Sequence, residues 1–297
     1  MKSLVLYLLL APLSLLAQTD ADTKLISKTK WKVQKVAKGL VWKSFHFNKK
    51  ELFGSNQHIN ILCTKLKNKH LRFGLMSVDD SLIASKKNGN QRLLTTSKLA
   101  EMYQTIAAIN GTFFDTKKGG SVDFIKINGK VLDTTQAPKG KRAEHQLAAI
   151  AIDKNKVEIL KGEDTSNWDK TLAFDNMMVT GPLLIFDGQV QALKKAALND
   201  NRHPRTCACI TQKRELLWIT LDGRTPEAQG MNLHELSFFC LQLGCKSAIN
   251  LDGGGSTTMV INGLADDGVV NMPCDNKKFD HFGERPVSNA LGIWLKK

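Results

Sequence analysis

The sequence predicts an α+β fold: a single domain around a mixed, strand-rich sheet, with few helices and a surface cavity at the strand ends. Three observations predict it. Short apolar runs recur along most of the 297 residues, divided by Asn-Gly, Asp-Gly and other turn signals. Only two segments carry both a capping residue and helical spacing. No internal repeat or low-complexity linker divides the chain, and 42% hydrophobic residues over this length suffice for a large core.

In chain order, Met1-Lys2-Ser3 precedes an apolar run from Leu4 to Leu16 and a small residue, Ala17. That is the pattern of a secretory signal peptide over residues 1–17, cut after Ala17. The run is too short to span a bilayer, and no later segment is apolar enough to do so. The expected location is therefore exported, periplasmic or secreted. Residues 18–40 are polar and basic, suiting a tether or a peripheral segment, and the domain proper is expected over 41–297.

Strands are expected at Ile59–Cys63 and Leu71–Val78, joined as a hairpin through Lys67-Asn68-Lys69-His70. Thr96 or Ser97 caps a helix to Tyr103, and a short strand from Thr105 runs into Asn110-Gly111. Further strands are expected at Asp123–Ile127, Lys130–Leu132, Gln146–Ile152, Val157–Leu160 and Met178–Phe186, with tight turns at Asn128-Gly129 and Asp187-Gly188. Thr206–Thr211 and Glu215–Leu221 form a hairpin pair. Asn232 caps a helix from Leu233 to Leu243, with Glu235 at its third position and Gly244 as its stop. Lys246–Leu251 and Leu291–Leu295 complete the set.

The formal net charge is +14, with lysines concentrated between Lys24 and Lys38, at Lys86-Lys87 and at Lys139-Gly140-Lys141-Arg142. This fits either a solvated surface or an anionic envelope polymer or phosphorylated glycan as partner. No reader motif accompanies it, so no nucleic-acid partner is expected. Six cysteines occur: Cys63, Cys207, Cys209, Cys240, Cys245 and Cys274. Cys207 and Cys209 alternate onto one strand face. Their Cys-x-Cys and Cys-x4-Cys spacings match zinc motifs poorly, so buried small side chains come first, disulfides second and metal last. No metal ligand and no cofactor is assigned.

The densest functional signal is Asn250-Leu251-Asp252-Gly253-Gly254-Gly255-Ser256. A plain turn needs one or two glycines, whereas three permit positive φ and close approach of backbone N–H groups to a ligand. Other polar groups stand at strand ends: Asn110, Arg205, Asp222-Gly223-Arg224, and Arg285 with Asn289. Arg205, Arg224 and Arg285 offer planar donors for phosphate. Asp252, Glu235 and Asp222 offer carboxylates for acid, base or nucleophile work. Against this, Asp222 also suits a turn, Glu235 a helix first turn, and His203 an exposed loop.

Taken in order, Asn110-Gly111-Thr112-Phe113-Phe114, Gly181-Pro182, Arg205-Thr206, Asp222-Gly223-Arg224, Glu235, Asn250 to Ser256 and Arg285 to Asn289 resemble the phosphodiester glycosidase family over residues 100–297. Family members often carry a second glycine where this chain has Thr112. The resemblance implies hydrolysis of a sugar-1-phosphodiester, of the N-acetylglucosamine-1-phosphodiester kind, releasing the sugar and a phosphomonoester. It implies Asp252 as the carboxylate at the anomeric centre, with Glu235 or Asp222 as its partner. Arg205, Arg224 and Arg285 would bind phosphate together with Gly253, Gly254, Gly255 and Ser256, and Asn110, Asn250 and Asn289 would fix sugar hydroxyls or carboxylates. Two other readings are open. Asp222, Asp252 and Glu235 could hold a hard cation for P–O cleavage, or the basic surface could bind an anionic glycan without turnover. Oligomeric state does not follow from the sequence.

Overall fold

In the computed structural model, residues 13–83, 92–135, 141–153, 156–164 and 167–296 are described. Most of the expected signal peptide (1–12) and Lys86, Lys87, Lys139 and Gly140 of the basic clusters lie outside them. The helices are α1 (Leu13–Lys28), α2 (Thr96–Met102), α3 (Ala197–Asp200) and α4 (Leu233–Gln242). The strands are β1 (Lys32–Ala37), β2 (Leu40–Leu52), β3 (Ser55–Lys65), β4 (Leu71–Ser77), β5 (Ala107–Asn110), β6 (Ile125–Ile127), β7 (Lys130–Asp133), β8 (Ala148–Asp153) and β9 (Lys156–Lys161). There follow β10 (Asn176–Val179), β11 (Leu183–Phe186), β12 (Gln189–Val190), β13 (Arg205–Thr211), β14 (Glu215–Leu221), β15 (Cys245–Asn250), β16 (Met259–Ile261) and β17 (Asn289–Leu295).

These strands form three sheets, ordered β1-β2-β3-β14-β13-β15-β11-β12, β7-β6-β10-β8-β9 and β16-β5-β17-β4. The strand-rich α+β domain is as expected, but the single mixed sheet is not. Every pairing between named strands is antiparallel. All three sheets face one core, to which they contribute Trp218 and Ile249, Ile150 and Met178, and Ile109 and Leu291 respectively. Alternation sets which residues reach it: Ala208 of β13 points into this core, while Cys207 and Cys209 point to the opposite face, under α4.

Helix α4 forms because Asn232 and Glu235 make a reciprocal capping box: the Asn232 side chain accepts from the Glu235 N–H (2.8 Å) and Glu235 accepts from the Asn232 N–H (3.1 Å). Leu233, Leu236, Phe239 and Cys240 form its buried stripe, and Gly244, at φ 78°, ends it. The shorter α2 is capped by Thr95, whose side chain accepts from Lys98 N, and buries Leu99 and Met102.

Two expectations about connectivity need correction. Strands β3 and β4 do not pair: β3 lies between β2 and β14, and β4 pairs with β17. Asn68 in the connecting loop bonds Thr64 Oγ1 and the Lys38 carbonyl, which turns the chain out of the first sheet. The expected strand Met178–Phe186 is two strands in different sheets, β10 and β11, separated at Gly181-Pro182, where proline has no N–H for a ladder. The peripheral segment 18–40 contains the end of α1 and the edge strand β1. It is fastened by Ile26, 4% exposed, and by Asp22, which accepts from the Phe53 N–H at 3.0 Å. The expected signal cleavage bond after Ala17 falls inside α1. Arg142, which the sequence groups with the surface charge, is buried in a fork with Asp169 at 2.8 and 3.0 Å. No helix among the described residues is long and apolar enough to cross a membrane.

Candidate active site

Four strand ends meet where the four-stranded and eight-stranded sheets adjoin: β5 ends at Asn110, β15 at Asn250, and β13 and β17 begin at Arg205 and Asn289. Asn110, fully buried, clips them together. Its Oδ1 accepts from Thr206 Oγ1 (2.7 Å) and Thr258 N (3.1 Å), and its Nδ2 donates to the Asp252 carbonyl (2.7 Å). Asn289 Oδ1 accepts from Thr112 N at 2.7 Å, and a Cβ on Gly111 would overlap that same oxygen. Thr112 is accommodated: it is buried with its hydroxyl donating to the Val179 carbonyl at 2.7 Å. Asn110 and Asn289 thus hold backbone and lie outside the cavity lining.

Each glycine of the triple-glycine loop meets a different neighbour. A Cβ on Gly253 would approach the Pro204 carbonyl to 2.6 Å, and one on Gly254 (φ +64°) the Arg224 guanidinium to 2.9 Å. One on Gly255 would overlap Asp275 Oδ1 and lie 2.6 Å from Arg285. The expected grip of loop N–H groups on phosphate is not available at two positions. Gly253 N donates to Asp252 Oδ1 (2.9 Å) and Gly254 N to the Pro204 carbonyl (2.9 Å). The glycines are there for close packing of the arginines and the Pro204 turn. Gly255→Ala should therefore break the Asp275–Arg285 fork and cost about 1–3 kcal/mol, as overpacked sites do. Urea denaturation measures it, and unchanged stability with an intact fork would contradict this packing.

Phe113, Leu198, His203, Arg205, Arg224, Asn250, Leu251, Asp252, Gly253, Gly254 and Arg285 line a cavity of ≈ 210 Å³. Arg205 is 1% exposed, and its guanidinium donates to the carbonyls of Met231 (2.9 Å), Leu198 (2.6 Å) and Asn201 (2.8 Å). Among the described residues no carboxylate pairs with it. Burial, together with the Arg224 charge, lowers it to about 10. Arg224 stands at the mouth, at positive φ (67°). Arg285 is held in a fork by Asp275 at 2.7 and 2.8 Å. The lining therefore carries positive charge in excess of its one carboxylate, a poor place for a cation and a good one for an anion.

That carboxylate is Asp252. Burial raises it above its ordinary 3.8, against the lowering influence of the nearby Ser256 hydroxyl, the Gly253 N–H, Arg285 and Arg224. The other two expected carboxylates are elsewhere. Asp222, 1% exposed, accepts from His58 Nδ1 (2.6 Å), Asn271 Nδ2 (2.8 Å) and Met272 N (2.9 Å), so its oxygens fasten three segments together. Glu235 is held by the α4 capping box and a fork to Arg202, at distances down to 2.5 Å. Neither lines the cavity. Asp222, Asp252 and Glu235 therefore do not form a hard-cation site, because each is committed to a different set of partners.

Asn250 does line the cavity. Its Nδ2 donates to the Gly181 and Leu251 carbonyls (2.9 and 2.7 Å), while its buried Oδ1 has no partner among the described residues. Gly255 and Ser256 lie behind the lining. Two residues beyond the expected set join it. His203 lines the wall with Nδ1 buried and unpartnered, and burial with the charges of Arg205 and Arg224 lowers its pKa, keeping it neutral. Phe113 presents a ring, packed on His145 at 4.8 Å between centroids, of the kind that suits the apolar face of a sugar. Proline at 204, which redirects the chain before β13, was the available signal for His203; the aromatic following Asn110-Gly111 was that for Phe113.

Comparison with known proteins places this arrangement. The bovine (Bos taurus) N-acetylglucosamine-1-phosphodiester alpha-N-acetylglucosaminidase is 46% identical over 72 residues, which is 24% of this chain and 13% of that enzyme's length. The solved catalytic domain of the zebrafish enzyme of that name, auto-inhibited by its pro-peptide, superposes with a TM-score of 0.65 at 20% identity, over 90% of this chain and 89% of that one. A hypothetical protein from Synechocystis superposes with a TM-score of 0.64 at 13% identity, over 90% of this chain and 64% of that one. Those two likenesses establish the fold. The sequence profile of the phosphodiester glycosidases matches residues 103–294, the stretch that contributes every residue of the cavity, and this chain belongs to the phosphodiester glycosidase family.

Proposed function

We propose that the chain hydrolyses a sugar-1-phosphodiester of the N-acetylglucosamine-1-phosphodiester kind, on an exported phosphorylated glycan, by cleaving the bond between the anomeric carbon and the phosphate oxygen. The observation that carries this reading is a buried guanidinium, Arg205, answered among the described residues by carbonyls alone, sharing a ≈ 210 Å³ cavity with Arg224 and the carboxyl of Asp252. Arg205 supplies fixed positive potential for the phosphate, and Arg224 and Arg285 supply donors at its rim. Phosphate leaves without needing a proton, so a single carboxylate suffices where ordinary glycosides require two. Asp252, ionised, stabilises positive charge at the anomeric carbon. Asn250 Oδ1 accepts from a sugar N–H or O–H, and Phe113 packs the ring. Asn110 and Asn289 act through the backbone they hold. Export is part of the same proposal, supported by the leader-like pattern of residues 1–17.

A pure anion-binding module would gain nothing from a desolvated carboxyl beside two arginines, since Asp252 repels the ligand. The test is a turnover screen of purified protein against sugar-1-phosphodiesters with a mass-spectrometric readout. Release of free sugar and phosphomonoester supports the proposal, and saturable binding without product opposes it.

The pH profile carries a signed prediction. Asp252 works as its anion, and burial raises its pKa above 3.8. Activity should therefore fall as pH drops through that raised value, so the acid limb of kcat/KM lies above the ordinary aspartate range. Stability runs the other way: the contribution from keeping Asp252 neutral is full at low pH and is lost as pH rises through the same value. An acid limb at or below 3.8 would remove Asp252 from the ionising step.

A further inference from the structure

Four of the six cysteines meet beneath α4, away from any role in the chemistry above. Cys207 and Cys209 share one face of β13, Cys240 descends from α4, and Cys245 opens β15; all four are 0% exposed. The Cys240 sulfur is 3.8 Å from that of Cys207 and 3.5 Å from that of Cys209, and these three sulfurs lie within 4.8 Å of one another. Cys245 is buried in the same apolar cluster as the other three, at the start of the strand that pairs with β13.

The spacing is informative. A disulfide needs sulfurs about 2.05 Å apart. A tetrahedral zinc thiolate, with bonds of about 2.3 Å, sets its sulfurs about 3.8 Å apart along each edge. The two separations to Cys240, 3.8 and 3.5 Å, exclude a disulfide in this structure and are compatible with the second value. Buried thiols also pack as small apolar side chains, so metal content is what separates the two roles. The support is rigid: β13 is laddered on both sides, to β14 and β15, so two of the sulfurs are held on a fixed frame. Sequence spacing concealed the group because its members come from three elements and meet only in the fold.

We propose that Cys207, Cys209, Cys240 and Cys245 hold one zinc ion as a tetrahedral thiolate site that ties α4 to the eight-stranded sheet. Cys207, Cys209 and Cys240 already stand as a group of three sulfurs, and Cys245 must move in to complete the tetrahedron. The four thiols release their protons to solvent as the Zn–S bonds form, and no electron is transferred. The ion is structural: no ligand faces the cavity, and the fold closes over the site completely. Its removal loosens α4, whose first-turn residue Glu235 accepts from Arg202.

The test uses the full chain, purified without chelator and with zinc supplied during expression. Elemental analysis should find about one zinc per chain. Denaturation with chelator should then free six titratable thiols, at an intact mass matching the fully reduced protein. Removing the ion should lower the melting temperature, and added zinc should restore it. Cys240→Ser should lose the metal while Cys63→Ser retains it. Should Cys240→Ser fail to fold, the metal content and thiol count of the unmodified chain still decide the matter. A zinc-replete chain with no bound metal would overturn the proposal, as would a mass lower by two hydrogens for each disulfide formed. Neither readout depends on turnover, so failure of the zinc site is distinct from failure of the catalytic reading.

Discussion

Asp252→Asn is expected to lower kcat on a sugar-1-phosphodiester by about 100- to 10,000-fold, the range for losing a positioned acid, base or charge at the reacting centre. The fold should survive. The amide oxygen can still accept from Gly253 N, and the Asp252 carbonyl held by Asn110 is untouched. Burial raises the native carboxyl, so ionising it in the cavity is disfavoured. The amide removes that cost, and the variant should be as stable as the native chain or somewhat more so, the usual trade at a functional residue. Steady-state kinetics with urea denaturation of the same preparation measure both. Near-native turnover from a folded variant would take Asp252 out of the mechanism.

The largest expected loss of stability from one side chain in the site is Arg205→Met. The carbonyls of Leu198, Asn201 and Met231 all accept from this guanidinium. Leaving buried acceptors unsatisfied costs about 1–3 kcal/mol each, so a total of several kcal/mol is expected, reduced where water enters the vacated space. Phosphate loses its deepest positive partner, so KM should rise as well. Arg205→Lys separates the two effects: its ammonium keeps the charge but lacks the planar fork that reaches three carbonyls, so stability suffers more than affinity. Arg224→Ala is the surface control. It should raise KM while changing stability by no more than about 0.5 kcal/mol. If Arg205→Met melts and binds as the native chain does, the buried guanidinium is not what organises this cavity.

Much of the site was legible because its residues sit at strand ends next to backbone signals. Arg205, Arg224, Asn250, Asp252, Gly253, Gly254 and Arg285 do line one cavity, although the sequence spreads them over residues 205–285. What the sequence could not separate was chemistry from fastening. Asp222 sits before a glycine at a strand end like the others, but its oxygens are taken by His58, a partner 164 residues away, and by Asn271 and Met272. Glu235 fits the capping-box rule and a catalytic role equally well on paper, and the box together with Arg202 claims it. The loop glycines announced close approach correctly, but what approaches is protein: Pro204, Arg224, and the Asp275–Arg285 pair.

The fold shows the same division. Period-two runs located β3, β4, β13 and β14 within a few residues, since alternation is local. Partnership is not. The β3–β4 link has the length of a hairpin loop, yet it carries the chain from one sheet to another. Pro182 falls within an apolar run that reads as a single strand and splits it between two sheets. Both outcomes depend on tertiary burial, because all three sheets must turn a face to one core.

Turnover of a sugar-1-phosphodiester in oxygen-18 water decides which bond the proposed reaction breaks. Cleavage at the anomeric carbon puts the heavy oxygen in the released sugar, whether Asp252 activates water or bonds to that carbon first, and leaves the phosphomonoester unlabelled. Heavy oxygen in the phosphate instead would mean attack at phosphorus, and would contradict the action of Asp252 at the anomeric carbon.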